Sequence, residues 1–333
     1  MTRISPTRTS GKLVTIVGGS GFIGRHLVQR LAREGWRIRV AVRRPNEVPE
    51  MRVGGDVGQI QIVQANARYP ESLIKAVEGS DVVINLAGLR YQVGKQKFRA
   101  VHVEGARNVA EAAAKVGATK FVHLSALAAD ASASSLYAQT KAEGEDEVRA
   151  AFPGATILRP SMVFGPDDMF LNTIATLVRM TPIVPLIGFG KTKFQPLFIN
   201  DLIDAFVAVL GADDSAGRVY ELGGPEEVSF AALVRELASQ MNRPRLFVPW
   251  PFWAMRFDAF FLQLVQLIRI KPLMTVDQVR MLEHDNVVSG NEAVGSLADL
   301  GVSNPVAISA LLPAYMTRFR KHGQFDELPT AQA

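Results

Sequence analysis

The stretch Gly18-Gly19-Ser20-Gly21-Phe22-Ile23-Gly24 is the most informative part of the sequence. It follows a short apolar run that begins at Leu13, and it opens an amphipathic segment that continues to about Glu34. Glycines at this spacing allow a tight turn, a close approach of the backbone to a pyrophosphate, and close packing of a helix on a sheet. The helix N-terminus then offers free N–H groups and a positive dipole to phosphates. The motif therefore predicts a dinucleotide-binding βαβ unit.

Strand-like and helix-like patterns alternate on both sides of this turn. The strand candidates are 13–18, 37–42, 59–63, 81–86, 120–124 and 155–158, and the helix candidates between them are 70–77, 98–116 and 137–151. This alternation predicts an α/β fold with a Rossmann-type, doubly wound parallel sheet, because parallel strands need helical crossovers. Right-handed crossovers place those helices on both faces of the sheet.

Composition narrows the classes of function. The chain has 333 residues, of which 48% are hydrophobic and 21% charged, as in ordinary globular proteins. Cysteine is absent, which excludes disulfides, thiol nucleophiles and cysteine-ligated metals, and the five histidines share no ligand spacing, so we predict no metal. No nucleic-acid-binding motif, secretory signal or membrane-spanning stretch is expected.

Charge at the N-terminal end indicates which dinucleotide is bound. Residues 1–60 hold eleven basic and four acidic residues, whereas the whole chain has a net charge of only +5. NAD sites place an acid about 20 residues after the glycines, but residues 35–46 contain none. Arg43 and Arg44 end the second strand instead, and Arg25 follows the last glycine. Because guanidinium groups match a 2′-phosphate in charge and geometry, we predict NADPH (NADP) as the cofactor.

Tyr137 and Lys141 form the second chemical signal. They lie one helical turn apart on one face of a predicted helix. A phenol needs a nearby cation to become a useful proton donor at neutral pH, and lysine supplies one while also reaching the nicotinamide ribose. Ser125 ends the preceding strand, where its hydroxyl is able to polarise a carbonyl.

These motifs together resemble the extended short-chain dehydrogenase/reductase family. The residues that carry the resemblance are 18–24, 85–88, Ser125, Tyr137, Lys141, 158–160, 163–166 and 200–202. The resemblance implies that 85–88 lies beside the adenosine and ribose, and that Pro160 lies near the carboxamide. Two features depart from the family: Asn66 stands where an aspartate is common, and only 12 residues separate Ser125 from Tyr137.

A closer resemblance covers nearly the whole chain. Segments 149–153, 158–161, 164–172, 190–197, 249–252, 275–279 and 299–301 are similar to the short-chain-dehydrogenase-like accessory subunit of respiratory complex I, in its alphaproteobacterial form. This resemblance implies a non-catalytic NADPH-binding subunit that supports assembly or stability of the peripheral arm. Its expected partners are other complex I subunits at the membrane junction, and its expected place is the cytoplasmic side of the bacterial inner membrane.

The alternative is a soluble NADP-dependent reductase or epimerase of the extended family. In that case Ser125, Tyr137 and Lys141 are catalytic, whereas in an accessory subunit they are vestigial and hold the cofactor. The predicted cofactor-binding residues are Gly18, Ser20, Gly21, Phe22, Ile23, Gly24, Arg25, Arg43, Arg44, Asn66, Ala87, Gly88, Ser125, Tyr137, Lys141 and Pro160.

The domain plan follows from a change of pattern after Arg159, where proline and glycine become dense. We predict an N-terminal tail over 1–12, the NADP-binding Rossmann domain over 13–160, and a smaller C-terminal lobe over 161–322. We predict that the lobe interleaves with the Rossmann core around 190–225. The chain is predicted to be mostly helical from Pro249 to Phe319, and a tail is predicted over 323–333.

Residues 252–270 form an unusually apolar segment of this lobe. On a helical wheel Trp253, Phe257, Phe260, Phe261, Leu264, Leu267 and Ile268 share an arc of roughly 160°. Arg269 and Lys271 follow and are placed to meet anionic lipid headgroups or a partner's acids. The segment is therefore either a docking face for a membrane subunit or lipid surface, or a buried core helix.

Overall fold

The structure is a computed structural model that describes residues 11–264, 272, 274–321 and 323. The chain forms two compact units. The first comprises Met1–Arg159, Leu202–Glu221 and Gly290–Val302, and the second comprises Pro160–Asp201, Leu222–Ser289 and Ser303–Ala333. The chain thus leaves the first unit and returns to it twice.

The strands fall into one large sheet and three small pairs. They are β1 (Leu13–Val17), β2 (Arg37–Val42), β3 (Ile60–Gln64), β4 (Val82–Asn85), β5 (Lys120–Leu124), β6 (Thr156–Pro160), β7 (Val163–Phe164), β8 (Ile183–Ile187), β9 (Lys193–Phe194), β10 (Leu197–Phe198), β11 (Val219–Leu222), β12 (Val228–Ser229) and β13 (Leu246–Trp250). The large sheet has the order β11-β6-β5-β4-β1-β2-β3, and its pairings from β3 to β6 are parallel. This confirms the predicted doubly wound sheet.

The helices alternate with these strands. They are α1 (Phe22–Arg33), α2 (Pro70–Val77), α3 (Glu104–Lys115), α4 (Leu136–Ala151), α5 (Phe170–Met180), α6 (Ile199–Gly211), α7 (Phe230–Gln240), α8 (Phe252–Leu264), α9 (Val276–Met281) and α10 (Ile308–Met316). A π-helical turn, Arg99–Val103, leads into α3. None of the helices among the described residues is long and apolar enough to span a membrane.

The core of the first unit explains why its central strands are so apolar. Every residue of β1 and of β4 is buried, as expected for parallel strands that helices cover on both faces. Small alanines of α3 pack with Val83, Phe121 and Val148 in one cluster, so α3 approaches the sheet closely. Strand order reverses between β1 and β4, and ligands of such sheets bind outside the carboxyl ends of the strands at this point.

The second unit has its own core and small two-stranded sheets. Helices α5, α7 and α10 contribute buried side chains such as Val178, Leu237 and Leu312. The expectation of a mostly helical course from Pro249 to Phe319 is wrong for the residues between α9 and α10, apart from the short turn Ala298–Leu300. The backbone near Asn286 instead bonds to extended chain: Asn286 N–H donates to Lys193 O at 2.8 Å, and Gln195 N–H donates to Asn286 O at 3.0 Å.

Helix α8 is apolar on two opposite faces. Met255 and Ala259 are buried in the core of the second unit. Trp253, Phe257, Phe260, Phe261 and Leu264 are exposed, with Trp253 70% and Phe257 64% exposed. The segment is therefore not an ordinary core helix over residues 252–264. The predicted continuation through Leu267, Ile268, Arg269 and Lys271 lies outside the described residues.

Candidate nucleotide site

The glycine turn joins β1 to α1 as the motif predicts. Gly18 has a φ of +79°, and a Cβ built there would lie 2.9 Å from the backbone nitrogen of Ala87. Only glycine allows these two loops to touch. A side chain at Gly24 would collide with the backbone of Gly19. Glycine at this position therefore allows the first turn of α1 to pack closely against the glycine turn. The loops after β1 and β4 thus meet at the switch point of the sheet.

The N-terminus of α1 is open to an anion. Gly21 is the N-cap residue and carries no capping side chain, and the first turn contains no acidic residue. Gly21 is exposed, whereas Ser20, Phe22 and Ile23 beside it are half-buried. The free N–H groups of the first turn and the helix dipole therefore favour a phosphate group here.

The predicted adenosine-end residues lie at the carboxyl ends of β1, β2 and β3. Arg43 and Arg44 follow β2 and are exposed, and Arg44 Nη1 forms an ion pair with Glu47 Oε1 at 2.8 Å. Arg25 is exposed on α1 and donates from Nε to Ser20 O at 3.1 Å. Asn66 follows β3 and accepts Arg68 N–H at 3.2 Å through Oδ1. Adjacent parallel strands bring these positions to one edge of the sheet.

Lys141 occupies a buried position under the loop after β4. Its Nζ donates to Leu124 O at 3.0 Å, and a Cβ on Gly88 would lie 3.8 Å from the same Nζ. Burial lowers the pKa of Lys141 to about 8, although the nearby carboxylate of Glu145 raises it. The side chain therefore presents its amine to the loop that is predicted to contact the cofactor.

A buried ion-pair network supports this turn of α4. Glu145, which is 1% exposed, lies one turn after Lys141 and accepts from Arg159 Nε at 2.8 Å and Nη2 at 2.7 Å. Arg149 Nη2 also contacts Glu145 Oε2 at 3.0 Å. The carboxylate holds α4 to the end of β6 through these bonds, and the pKa of Arg159 is raised chiefly by its hydrogen bond to Glu145.

Ser125 and His123 carry polar atoms that are buried without partners. Among the described residues neither Ser125 Oγ nor His123 Nε2 has a hydrogen-bond partner. The Nδ2 atom of Asn85 lies 3.1 Å from Nδ1 of His123, and the Oδ1 atom of Asn85 accepts a hydrogen bond from Ala87 N–H at 3.1 Å. Burial lowers the pKa of His123 to about 3. Ser125 directly follows Leu124, whose carbonyl binds the Lys141 amine. A buried hydroxyl in this position is suited to bind a polar group of a ligand.

Two side chains that the sequence did not single out complete the site. His102 lies in the π-helical turn, and its ring packs edge-on against Tyr137 at 5.3 Å between ring centroids. Phe98 stacks on His102 at 5.2 Å and packs edge-on against Tyr137 at 5.8 Å. No motif marks these positions, because only the crossing of α4 with this turn brings them to Tyr137.

The residues present fit a dinucleotide. The uncapped helix N-terminus suits a pyrophosphate, and the close loops at Gly18 and Ala87 leave room for backbone contact. Lys141 and the orphaned Ser125 hydroxyl offer polar atoms where a nicotinamide half would lie. The loop that carries Ala87 and Gly88 lies against the helical turn that carries Tyr137 and Lys141. Pro160 ends β6, the strand beside β5, and is buried.

Comparison with known proteins gives the family. Residues 14–223 match the NAD dependent epimerase/dehydratase family. The chain belongs to this family. Solved structures agree in fold: MoeE5 in complex with UDP-glucose and NAD has a TM-score of 0.68 at 18% identity, covering 91% of this chain and 97% of that one. A UDP-glucuronic acid 4-epimerase from Bacillus cereus, in complex with UDP-glucuronic acid and NAD, has a TM-score of 0.67 at 20% identity, covering 92% and 98%.

Relatives among characterised proteins are more similar in sequence. NADH dehydrogenase (ubiquinone) 1 alpha subcomplex subunit 9 of Mus musculus is 34% identical over 88% of this chain and 77% of its own length. The NADH-ubiquinone oxidoreductase 40 kDa subunit of Neurospora crassa is 30% identical over 97% and 83%. This member of the epimerase/dehydratase family therefore groups with the short-chain-dehydrogenase-like complex I subunits. A ceramide reductase of Caulobacter vibrioides is 40% identical over 59% of this chain and 60% of its own length.

Proposed function

We propose that this protein is a nucleotide-holding accessory subunit of respiratory complex I, which supports assembly or stability of the peripheral arm near the membrane. The observation that carries the proposal is similarity to complex I subunits over nearly the whole chain, 88% and 97% of its length. The similarity to a reductase covers only 59%. Its partners are other subunits of the peripheral arm and the membrane junction.

The nucleotide we propose is NADPH. Support comes from the end of β2, where Arg43 and Arg44 stand exposed and residues 35–46 contain no acid of the kind that binds a ribose 2′-hydroxyl in NAD sites. When NADPH is bound it supplies a hydride donor and a 2′-phosphate. Gly21 and the first turn of α1 would hold the pyrophosphate, the arginines the 2′-phosphate, and Lys141 the nicotinamide ribose.

We further propose that α8 docks on the cytoplasmic surface of the bacterial inner membrane, so that the subunit is peripheral. Its exposed face combines one tryptophan with phenylalanines, and tryptophan suits an interface that is apolar on one side and wet on the other. Arg256 on the same helix is 44% exposed and pairs through Nη1 with Glu283 Oε1 at 3.4 Å, and Arg269 and Lys271 follow in the sequence. Cations beside an aromatic face favour anionic lipid headgroups over an apolar protein groove.

The test uses Phe257→Glu with Phe261→Glu in the full-length protein. The matched control is Val53→Glu with Val57→Glu, because these valines are exposed in the first unit and receive the same two charges. We expect the first pair to detach the protein from membranes and to abolish binding to vesicles that contain anionic lipid, with NADPH affinity unchanged. Native gels of membrane extracts should show the unmutated protein in a large complex. Free migration on those gels would refute the accessory role.

A second candidate function, reduction of a carbonyl on a lipid-like substrate, is favoured by the intact Ser125, Tyr137 and Lys141. In this function the Tyr137 phenol would donate a proton to the carbonyl oxygen, and Lys141, one turn later on α4, would hold the nicotinamide ribose. The Ser125 hydroxyl, which has no hydrogen-bond partner in the described part of the chain, would donate a hydrogen bond to the same oxygen. A relative that is named a ceramide reductase supports this class of substrate.

Tyr137→Phe separates the two functions. In the accessory function the variant leaves complex assembly and respiration nearly unchanged, because Tyr137 only lines the cofactor site. In the reductase function the purified protein oxidises NADPH when a long-chain keto lipid is added, and the variant loses about 100-fold or more of this activity. Ser132→Ala, in the exposed loop before α4, is the control, since its hydroxyl donates a local hydrogen bond to Asp130 Oδ1.

A further inference from the structure

His102 is held in one defined state by two hydrogen bonds. Leu89 N–H donates to Nε2 at 2.9 Å, so Nε2 carries a lone pair and the ring proton of a neutral imidazole sits on Nδ1. Nδ1 lies 3.1 Å from Thr140 Oγ1, which donates its own proton to Leu136 O at 2.8 Å and so accepts from the ring. Burial, with a smaller effect of Lys141, lowers the pKa of His102 to about 2.

The same side chain ties together the two segments that form the inner end of the site. Leu89 follows Gly88 in the loop after β4, and Thr140 lies between Tyr137 and Lys141 on α4. A Cβ on Gly88 would lie 4.0 Å from His102 Nε2 and 3.8 Å from Lys141 Nζ. The imidazole is thus a bridge between the loop and the Tyr137–Lys141 turn.

The local backbone is irregular at this bridge. His102 lies in a π-helical turn, and such turns are frequent at functional sites because the extra residue turns a side chain inward. His102 is also buried between Phe98 and Tyr137, which leaves its ring one orientation.

We propose that His102 is a positioning residue for the nicotinamide half of the bound dinucleotide: its neutral imidazole fixes the Gly88–Leu89 loop to the Tyr137–Lys141 turn. The inference rests on the proposed binding of NADPH and adds the residue that sets the geometry of the inner end. The family resemblance implied that 85–88 lies beside the adenosine and ribose, but Gly88, at the end of that stretch, lies against Lys141 and His102. The proposal therefore predicts that His102 contributes more to the affinity gained from the nicotinamide half than to the affinity for the adenosine half.

The experiment compares two ligands of the full-length protein, NADPH and 2′,5′-ADP, by calorimetry. The ratio of their affinities measures the contribution of the nicotinamide half. His102→Phe keeps a ring and loses both hydrogen bonds, and we expect it to lower this ratio about 10-fold while 2′,5′-ADP affinity stays within about twofold. His102→Gln keeps an acceptor and a donor and should restore most of the ratio. Thr140→Val, which removes one of the two hydrogen bonds to the imidazole ring, should lower it about threefold.

His284→Phe is the matched control, since His284 is exposed. An unchanged ratio in both His102→Phe and Thr140→Val would overturn the inference, as would an equal loss for the two ligands, which would indicate a general structural role. If His102→Phe does not fold, Thr140→Val and His102→Gln decide the question. Failure of the unmutated protein to bind either ligand would instead refute the proposed NADPH binding itself.

Discussion

Helices α4 and α8 reverse the usual distribution of side chains in opposite ways. α4 buries Lys141 and Glu145, whereas α8 exposes Trp253 and Phe257. Buried charged side chains require partners, and an exposed cluster of aromatic side chains often marks a binding surface. The contrast supports the two proposals made above, that α4 holds a ligand within its own unit and that α8 docks on a surface outside the chain.

The strongest test of α4 removes the charge of Glu145. Glu145→Gln removes the closest carboxylate of the largely buried Arg159, whose next partner, Glu221 Oε1, lies 3.7 Å away, so we expect the free energy of unfolding to fall by about 3 kcal/mol. Asp146→Asn is the control: Asp146 is 78% exposed and also pairs with Arg149, and the loss there should stay below about 1 kcal/mol. Denaturant titration measures both, and equal losses would contradict a buried network.

The pH dependence of stability tests the burial of Lys141. Its pKa is about 8 in the folded protein, against 10.5 for an ordinary exposed lysine, so the unfolded chain binds more protons between these two values. Stability therefore rises as pH increases from about 8 to 10.5, and this gain is lost again as pH falls back through 8. Relative to Lys141→Met, the rise should approach about 3 kcal/mol. If the free energy of unfolding changed with pH in the same way in both proteins, Lys141 would be exposed to solvent in the folded state.

Nucleotide preference tests the role of the exposed Arg43 and Arg44 separately from that of the buried residues of α4. Arg43→Ala with Arg44→Ala should lower the preference for NADPH over NADH by about 10- to 100-fold, since a charge-assisted hydrogen bond contributes roughly 1.5–3 kcal/mol and Arg44 must first leave Glu47. Affinity for NADH should stay the same. Arg37→Ala, at the opposite end of β2, is the control for lost positive charge. Equal affinity of the unmutated protein for both nucleotides would contradict the assignment.

The smallest effect is expected on α8. Phe257→Ser with Phe261→Ser should change the free energy of unfolding by less than about 1 kcal/mol, because both rings are exposed and pack edge-on against each other. Met255→Ala on the buried face of the same helix should lower it by about 2–5 kcal/mol. A large loss in the double variant would show that the exposed face stabilises the folded chain, and the contrast with α4 would disappear.

Much of the first unit could be predicted because its signals are local. Glycine spacing, strand apolarity and the interval from Tyr137 to Lys141 each depend on residues near one another in the chain. A helical wheel also predicted the aromatic face of α8, although the sequence left open whether this face is buried in the core or exposed at the surface. The loops between α9 and α10 were not predictable, since their backbone bonds to extended chain roughly 90 residues away in the sequence.

Short-range signals were enough to predict the doubly wound sheet, which the structure confirms, and to predict a dinucleotide turn with candidate residues for its outer end, because backbone conformation and hydrophobic periodicity are encoded over short distances. Three-dimensional packing was needed to establish that His102 bridges Leu89 and Thr140, and that Glu145 is buried with Arg159. The same holds for the Ser125 hydroxyl, which is buried without a partner among the described residues. Each of these depends on which segments cross in space. Burial and hydrogen-bond satisfaction are properties of that crossing, and no spacing along the chain records them.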